Sequence, residues 1–248
     1  ALGVRLLDRT SRALRLTEAG REYLARLEPI LADIAAAEAA ASALQATPRG
    51  TLRVHSRTMF GLRVLAPLVP EFQALHPELR LELRLSERPA RLLEEELDLE
   101  LRIGPAAEMA LRQRLLLRTE RLLVASPAYL ARMPPVATPR DLPAQHCLAY
   151  WMGPEEVTWR FLGPDGLEEV PIAARFAANN GEVLRALALA GHGIALLDDY
   201  TVRDALEAGA LVRLLPGWRV TNSAFDEGIF AVFRDGGPLP AKTRALLD

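Results

Sequence analysis

Polar side chains recur at the ends of the strands that the sequence predicts, and their types suit the binding of a small molecule. Parallel α/β sheets bind ligands beyond the carboxyl ends of their strands, where hydroxyls, amides, guanidinium groups and helix N-termini hold polar or anionic groups. The residues at such positions are Ser56, Arg57, Thr58, Ser86, Arg88, Arg102, Gly104, Ser126, Asn179 and Asn180. Each has a structural alternative, as a helix cap or in a turn, but the set comes from two halves of the chain. We therefore predict a site for a polar or anionic small molecule, with Arg102 able to pair with a carboxylate.

No arrangement typical of catalysis or metal binding is evident in the sequence, which contains neither a nucleophile elbow nor a phosphate-binding loop. Gly191-His192-Gly193 follows a predicted helix and precedes a predicted strand, the reverse of the dinucleotide-binding order. The histidines have no metal-ligand spacing, and Cys147 beside His146 is better explained as a buried strand cysteine than as a reactive thiol. We predict a protein that is not an enzyme and uses no metal or cofactor. A pair of carboxylates brought together only by folding stays open.

The composition is that of a globular protein from a reducing compartment. The chain has 248 residues, half of them hydrophobic and a quarter charged, and its formal net charge is -2. This length suits one large domain or two modest ones. The single cysteine excludes an internal disulfide, and no uncharged apolar run reaches the roughly 18 residues of a membrane span. We expect a cytoplasmic protein, and the totals alone give no sign of nucleic-acid binding.

The first sixteen residues have a local basic excess that the overall charge hides. Four arginines, among them Arg9 and Arg12, stand against the single acidic residue Asp8. Leucines on both sides of the segment from Arg9 to Arg12 indicate a short hairpin. A frayed, solvated terminus explains these residues equally well.

A long helix is predicted from the N-cap Thr17 to about Ala46. Glu18 in its first turn complements the helix dipole, and Pro29 is expected to bend the helix. Apolar residues repeat at alternating steps of four and three, as in a coiled coil. They are Tyr23, Leu27, Ile30, Ile34, Ala37, Ala41 and Leu44. This seam packs either on its own domain or on a second chain, and its small alanines favour a second chain, hence a dimer.

Strands and helices alternate beyond a linker at Thr47 to Gly50. The first predicted set consists of a strand at 51–56, a helix at 60–75 broken at Pro67 and Pro70, a strand at 79–85, a short helix at 90–97 and a strand at 98–103. This order predicts parallel strands joined by right-handed crossovers.

A second set of predicted elements continues to the C-terminus. Its strands are expected at 121–125, 147–150, 158–162, 167–172, 176–178, 194–197, 211–215 and 228–233, and its helices at 127–133, 182–190, 200–207 and 240–247. The turn Gly163-Pro164-Asp165-Gly166 predicts a hairpin. The fold class is therefore α/β.

Several blocks of sequence resemble one family. The stretch LGVRLLDRTSRALRLTEAG, from Leu2 to Gly20, is similar to the end of the winged helix-turn-helix of LysR-type transcriptional regulators, in which Leu-Thr-x-Ala-Gly joins the wing to a long dimerisation helix. The resemblance continues through RGTLRVHS, FGLRVLAPLVPEF, LDLELRIG, CLAYW, ANNGEVLRALALAGHGIALL and LVRLLPGW. These blocks cover essentially the whole chain, in order, which makes them more specific than any single motif.

The resemblance implies a two-lobed, periplasmic-binding-protein-like effector domain, preceded by a long linker helix and the wing remnant of a winged helix-turn-helix. The implied division is a wing remnant at 1–16, a linker helix at 17–47, one effector subdomain at 50–118 and 225–248, and a second at 119–224. The effector cleft would lie between the subdomains, and Arg9 and Arg12 of the wing would contact DNA phosphates. The recognition helix would precede this sequence, so the chain by itself is expected to bind DNA weakly or not at all. Asp198 stands where many relatives have proline.

These features predict a bacterial transcriptional regulator that senses a small molecule. Effector binding is expected to change lobe closure or dimer packing, and with it the angle between DNA-binding domains in a homodimer or homotetramer. Promoter DNA and the effector would be its partners, with no role for a membrane. One alternative is a solute-binding protein of a transporter, which shares the two-lobed fold but predicts a signal peptide and no long heptad helix. The other is an enzyme that uses the cleft, which needs a catalytic dyad that the sequence does not offer.

Overall fold

A computed structural model describes residues 4–9, 14–92, 94–106, 108, 110–151, 153, 156–225 and 227–248. The N-terminal strands β1 (Leu7–Arg9) and β2 (Leu14–Leu16) pair antiparallel, which confirms the predicted hairpin. Of the two predicted DNA contacts, Arg12 and the side chain of Arg9 lie outside the described part of the chain.

The predicted long helix is present as α1 (Glu18–Ala46), and Pro29 lies within it without ending it. Thr17 caps the helix as predicted, because its hydroxyl accepts a hydrogen bond of 3.0 Å from the Gly20 N–H. The side chains of Ala37, Ala41 and Leu44 lie outside the described residues.

The chain then builds lobe I and enters lobe II. The first elements of lobe I are β3 (Gly50–Ser56), α2 (Thr58–Phe60), a π-helical turn (Gly61–Leu65), α3 (Ala66–Leu75), β4 (Leu79–Leu85), β5 (Leu99–Ile103) and β6 (Leu111–Thr119). Lobe II consists of β7 (Arg121–Ala125), α4 (Pro127–Leu130), a 3-10 helix (Pro139–Ala144), β8 (Cys147–Tyr150), β9 (Thr158–Gly163), β10 (Gly166–Pro171), β11 (Phe176–Ala178), α5 (Gly181–Leu189), β12 (Ile194–Asp198), α6 (Asp199–Glu207), β13 (Val212–Arg213) and β14 (Arg219–Thr221). Lobe I is completed by β15 (Glu227–Arg234) and α7 (Ala241–Leu247).

Each lobe is organised around one mixed sheet. The five-stranded sheet of lobe I has the order β4-β3-β5-β15-β6, in which β3 runs parallel to β4 and β5, as predicted, while β15 is antiparallel to β5 and β6. The sheet of lobe II has the order β10-β9-β14-β7-β12-β8-β11, with β13 also paired to β7. The chain crosses between the lobes twice, from β6 to β7 and from β14 to β15. These two short crossings and the cleft beside them define a two-lobed α/β fold.

Each lobe has its own apolar core. Leu52, Val54 and Leu99 are fully buried in lobe I, and Trp159 and Phe161 are fully buried in lobe II. Burying one such side chain contributes roughly 1.5–3 kcal/mol. Each lobe is therefore held together from within, and the surface between the lobes is free to carry polar groups.

The helix predicted at 60–75 differs in where its irregularity lies. The helix continues through Pro67 and Pro70 to Leu75, and the distortion is the π-helical turn Gly61–Leu65. Pro67 has no N–H to donate to the carbonyl four residues earlier, inside that turn, so the wider hydrogen-bonding pattern precedes the proline instead of a break occurring at it.

One other local prediction is wrong, and two strands were missed. The segment 90–97 forms turns instead of a short helix, with Glu96 at φ 54°, a left-handed conformation that a helix interior excludes. The strands β6 and β14 were not expected. The first half of β6 is largely exposed, so its sequence lacks the alternation that marks a half-buried strand.

Within the described residues no helix has the length and apolar character needed to cross a membrane.

Candidate functional site

A cavity of about 190 Å³ lies between the two lobes. Lobe I contributes three side chains to its wall, those of Arg57, Met59 and Glu87. The remaining wall comes from lobe II and the crossing that leaves it, through Arg121, Tyr150, Gly181, Leu196, Leu197, Asp198, Tyr200, Thr201, Asn222 and Ser223. Because both lobes form the wall, any molecule held there contacts both.

Arg57, Glu87 and Tyr150 form a bridge across the cavity. Arg57 follows β3, Glu87 follows β4, and Tyr150 ends β8 in the other lobe. The Arg57 Nη2 atom lies 2.8 Å from Glu87 Oε2 and donates a hydrogen bond of 2.9 Å to the Tyr150 hydroxyl. That hydroxyl in turn donates to Glu87 Oε2 at 2.8 Å. Burial opposes the charge of Arg57 but is outweighed by Tyr150 and Glu87, which raise its pKa, while burial raises the pKa of Tyr150.

A second charged group occupies the lobe II side of the cavity. Asp198 ends β12, and its Oδ1 atom lies 3.5 Å from Nε of Arg121, the first residue of β7. The Tyr200 hydroxyl donates to Asp198 Oδ2 at 3.2 Å, and Arg121 Nη2 lies 3.0 Å from Glu227. Burial raises the pKa of Asp198, and the guanidinium groups of Arg121 and Arg57 oppose that rise.

A further ion pair joins the lobes beside the cavity. Arg63, in the π-helical turn of lobe I, lies 2.5 Å from Glu182 of α5 and 3.7 Å from Asp204 of α6. At the same contact Gly181 approaches Met59 so closely that a Cβ atom at Gly181 would lie 3.0 Å from Met59 Cγ. The helix ends of lobe II therefore rest directly on the first helical turns of lobe I.

Of the ten predicted binding residues, only Arg57 lines the cavity. Ser56 is buried and donates to the carbonyl of Arg57, and Thr58 begins α2 beside it. Asn180 is the N-cap of α5, where its side chain accepts from two backbone N–H groups, and Asn179 is exposed.

The other predicted residues lie elsewhere in the fold. Ser86 and the exposed Arg88 form a local turn, Arg102 lies 3.7 Å from Glu100, and Gly104 adopts φ 78° at the end of β5. Ser126 lies away from the cavity as well. It follows β7, which is antiparallel to β12, so it lies at the opposite edge of the sheet from Asp198, where it caps α4.

Most of the residues in the cavity wall were not predicted from the sequence, although the sequence contains signals for three of them. Glu87 lies between two predicted binding residues, Tyr150 ends a predicted strand, and Asp198 directly follows one. Arg121 gave no such signal, because it begins a strand instead of ending one.

A serine, a histidine and a carboxylate come together in lobe I without the alignment of a catalytic triad. His55 Nε2 lies 3.3 Å from Ser86 Oγ, and His55 Nδ1 lies 3.5 Å from Glu100 Oε1. However, the Ser86 hydroxyl donates to the carbonyl of Arg88, and no hydrogen bond to His55 Nδ1 is formed. A nucleophile needs its hydroxyl hydrogen directed at the base, so this cluster serves the turn.

The structure also describes the surroundings of Cys147 and of the possible metal ligands. Cys147 is buried as predicted, and burial raises its thiol pKa to about 12, which leaves little thiolate at neutral pH. Among the described residues no group of three or more histidine, cysteine, aspartate or glutamate side chains could hold a metal ion.

Comparison with known proteins gives one consistent family. Residues 45–248 match the family model described as the LysR substrate binding domain. The chain is 39% identical over 214 residues to the HTH-type transcriptional regulator CrgA of Neisseria meningitidis serogroup C, covering 86% of this chain and 71% of that protein. It is 31% identical over 248 residues to the probable HTH-type transcriptional regulator LtrA of Klebsiella pneumoniae, covering 100% of this chain and 80% of that protein.

Solved structures agree with the sequence matches. The structure of CrgA from Neisseria meningitidis superposes with a TM-score of 0.72 at 35% identity, covering 99% of this chain and 82% of that one. The full-length structure of the Vibrio cholerae virulence activator AphB gives a TM-score of 0.71 at 28% identity, covering 100% of this chain and 83% of that one.

Proposed function

The chain belongs to the LysR family of transcriptional regulators, and we propose that it controls transcription from promoter DNA in response to a small polar molecule bound between its lobes. The observation that carries this proposal is the cavity wall, to which both lobes contribute charged side chains. In a family whose members carry an effector-binding domain, such a cavity is the natural receptor for the effector.

The contacts across the cavity suggest how binding is transmitted. The hydrogen bond from Arg57 to Tyr150 and the ion pair from Arg63 to Glu182 both join lobe I to lobe II. A ligand that binds Arg57, Glu87 or Tyr150 competes with the first of these contacts. Since a ligand shifts a conformational equilibrium only through different contacts in the two states, this competition would change lobe closure.

The apolar seam of α1 suggests how the chain forms oligomers. Along α1, Tyr23, Ile30 and Ile34 are 38%, 53% and 50% exposed in the single chain, and Leu27 is half-buried. Apolar side chains at heptad spacing are expected to be covered by a second chain. We propose a homodimer or homotetramer built through α1, in which the wing arginines Arg9 and Arg12 contact DNA phosphates in the cytoplasm.

The residue division predicted from the sequence is kept as part of this proposal. It assigns residues 1–16 to the wing, 17–47 to the linker helix, 50–118 and 225–248 to one effector subdomain, and 119–224 to the other. The strand crossings near Glu120 and between Thr221 and Glu227 support these boundaries.

Chromatin immunoprecipitation in the native organism, with a tag at the C-terminus, tests the regulatory half. Defined enriched promoter sites are expected, and transcripts of the adjacent genes should change when the gene is deleted. Absence of enriched sites would contradict the assignment to promoters.

Light scattering of the purified chain tests the assembly. A dimer or larger species is expected for the wild type, and Ile30→Glu should shift it towards a monomer by placing a charge in the seam. Glu22→Lys is the matched control, because Glu22 is exposed and lies outside the seam. A wild-type monomer would refute the role of α1.

A further inference from the structure

Several hydrogen-bond donors that line the cavity already face acceptors of the protein. Arg57 donates to Tyr150 and pairs with Glu87, and the Tyr150 hydroxyl donates to Glu87. On the other side, the Tyr200 hydroxyl donates to Asp198. Arg57 Nη2 and both tyrosine hydroxyls therefore have acceptors before any ligand arrives.

Arg121 is engaged to a similar extent. Its Nη1 atom donates to the side chains of Thr221, Asn222 and Ser223, and its Nη2 atom pairs with Glu227. Its Nε atom faces Asp198 at 3.5 Å, which is close enough for charge attraction but too far for a good hydrogen bond. An anionic ligand would be repelled by the carboxylates that already lie beside the two cavity arginines.

Two carboxylate oxygens of residues in the cavity wall lack a donor. Glu87 Oε1 and Asp198 Oδ1 are both buried, and neither has a hydrogen-bond partner among the residues that the structure describes. A buried carboxylate oxygen without a donor costs free energy, and such atoms in a cavity wall indicate what a ligand must supply. The two orphaned atoms call for N–H or O–H donors.

The charges around Asp198 lead to the same conclusion. Arg57 pairs with Glu87, and Arg121 faces Asp198, so the charges of the cavity wall itself balance. Glu227, which lies outside the wall, also pairs with Arg121, so Asp198 shares its closest cation with a second carboxylate. Burial raises the pKa of Asp198 and Glu227 adds to that rise, while Arg121 and Arg57 oppose it.

We propose that the cavity binds a small organic cation, an amine or amidinium, whose N–H groups donate to Glu87 Oε1 and Asp198 Oδ1. The aromatic rings of Tyr150 and Tyr200 and the side chains of Met59 and Leu197 provide apolar surface for its carbon skeleton. This inference rests on the proposed function, because it takes the cavity between the lobes as the effector site. It narrows the polar or anionic ligand expected from the sequence to a polar cation.

Isothermal titration of the purified chain with ethylenediamine, putrescine, cadaverine and agmatine tests the proposal. Diols and dicarboxylates of the same chain lengths serve as neutral and anionic counterparts. We expect saturable binding of at least one cation, weakened at high salt, and no binding of the neutral or anionic series. Glu87→Gln and Asp198→Asn should each reduce cation affinity at least tenfold, because each variant removes a negative charge while keeping the side-chain shape.

Glu94→Gln is the matched control, since Glu94 is exposed and pairs only locally with Arg91. Circular dichroism of each variant establishes that it is folded. Because Glu87→Gln and Asp198→Asn change different carboxylates of the same site, each provides an independent test of the cation's position. Binding of the dicarboxylates in place of the cations overturns the inference while leaving the cavity as an effector site. Failure of all four cations to bind, or cation binding that neither cavity variant weakens, also overturns it. The promoter and oligomer experiments report separately on the proposed function.

Discussion

Two clusters of charged residues differ in how completely their charged groups are hydrogen-bonded. At the base of lobe I, Asp98 accepts hydrogen bonds from the Arg53 N–H at 2.9 Å and from Lys242 at 2.7 Å. Lys242, the only lysine of the chain, also donates to the carbonyl of Thr51 at 2.8 Å. This basal cluster lies within one lobe and ties α7 to β3. The cluster in the cleft joins two lobes and leaves two carboxylate oxygens without donors.

The difference separates structural charges from charges available to a ligand. A buried or half-buried charge is tolerated when its partners are complete, so a complete cluster stabilises one arrangement. An incomplete cluster between two bodies is stabilised further by whatever completes it. Cavity size does not make this distinction, because a larger cavity of about 530 Å³ adjoins the basal cluster.

Removal of the centre of the basal cluster should have the largest effect on stability. Asp98→Ala leaves Lys242 and the Arg53 N–H without their acceptor, and we expect a loss of about 3 kcal/mol in the free energy of unfolding. Urea denaturation measures it. Asp235→Ala is the control, because the Asp235 pair with Arg112 is exposed and should contribute less than about 1 kcal/mol. If both variants lose the same small amount, the basal cluster is no more structural than a surface pair.

The corresponding change in the cleft should cost less stability. Arg57→Ala removes the cation paired with Glu87 and the donor to the Tyr150 hydroxyl, and we expect a loss of roughly 1–2 kcal/mol, because the opened cleft admits water to both groups. The same urea experiment measures it, and Arg88→Ala, an exposed neighbour of Glu87, is the control. A loss as large as that of Asp98→Ala would remove the distinction between the two clusters.

The sequence predicts the strands of both clusters, but only part of the cleft site. The strands beside Asp98 and Arg57 follow from periodicity, which is a local property, and Arg57 is found because it follows a parallel strand. Arg121 escapes because β7 runs antiparallel to β12, so the first residue of β7 meets Asp198 at the end of β12. Choosing residues at the carboxyl ends of strands assumes that neighbouring strands are parallel. In this mixed sheet the assumption selects Ser126, which lies at the edge of the sheet opposite Asp198. Strand pairing between distant segments determines this part of the site.

The pH dependence of stability should reveal the burial of Asp198 in the cleft. Burial raises the pKa of Asp198 above its ordinary value of 3.8, so the folded state binds this proton more tightly than the unfolded state does. The resulting contribution to stability is complete below the unfolded pKa and is lost as pH rises through the folded pKa. Asp198→Asn should therefore be more stable relative to wild type at pH 7 than at pH 3.5.

Denaturation midpoints of wild type and Asp198→Asn across this range measure the difference. Asp165→Asn, in the exposed hairpin turn, is the control and should show no such crossover. A variant that is less stable at pH 7 than at pH 3.5, relative to wild type, would mean that Arg121 and Arg57 fully compensate the burial of Asp198.

The smallest effect on stability is expected for the ion pair beside the cleft. Arg63→Ala breaks the contact with Glu182, and because both side chains are about a third exposed, the loss should be about 0.5 kcal/mol. Its position between the lobes, however, means that the variant should populate more open forms, which small-angle scattering detects as a larger radius of gyration. Arg26→Ala removes a more exposed ion pair that lies within α1, away from the cleft, and should leave the radius unchanged. If the two variants scatter identically, the Arg63 pair is an ordinary surface contact, and lobe closure depends on the groups inside the cavity alone.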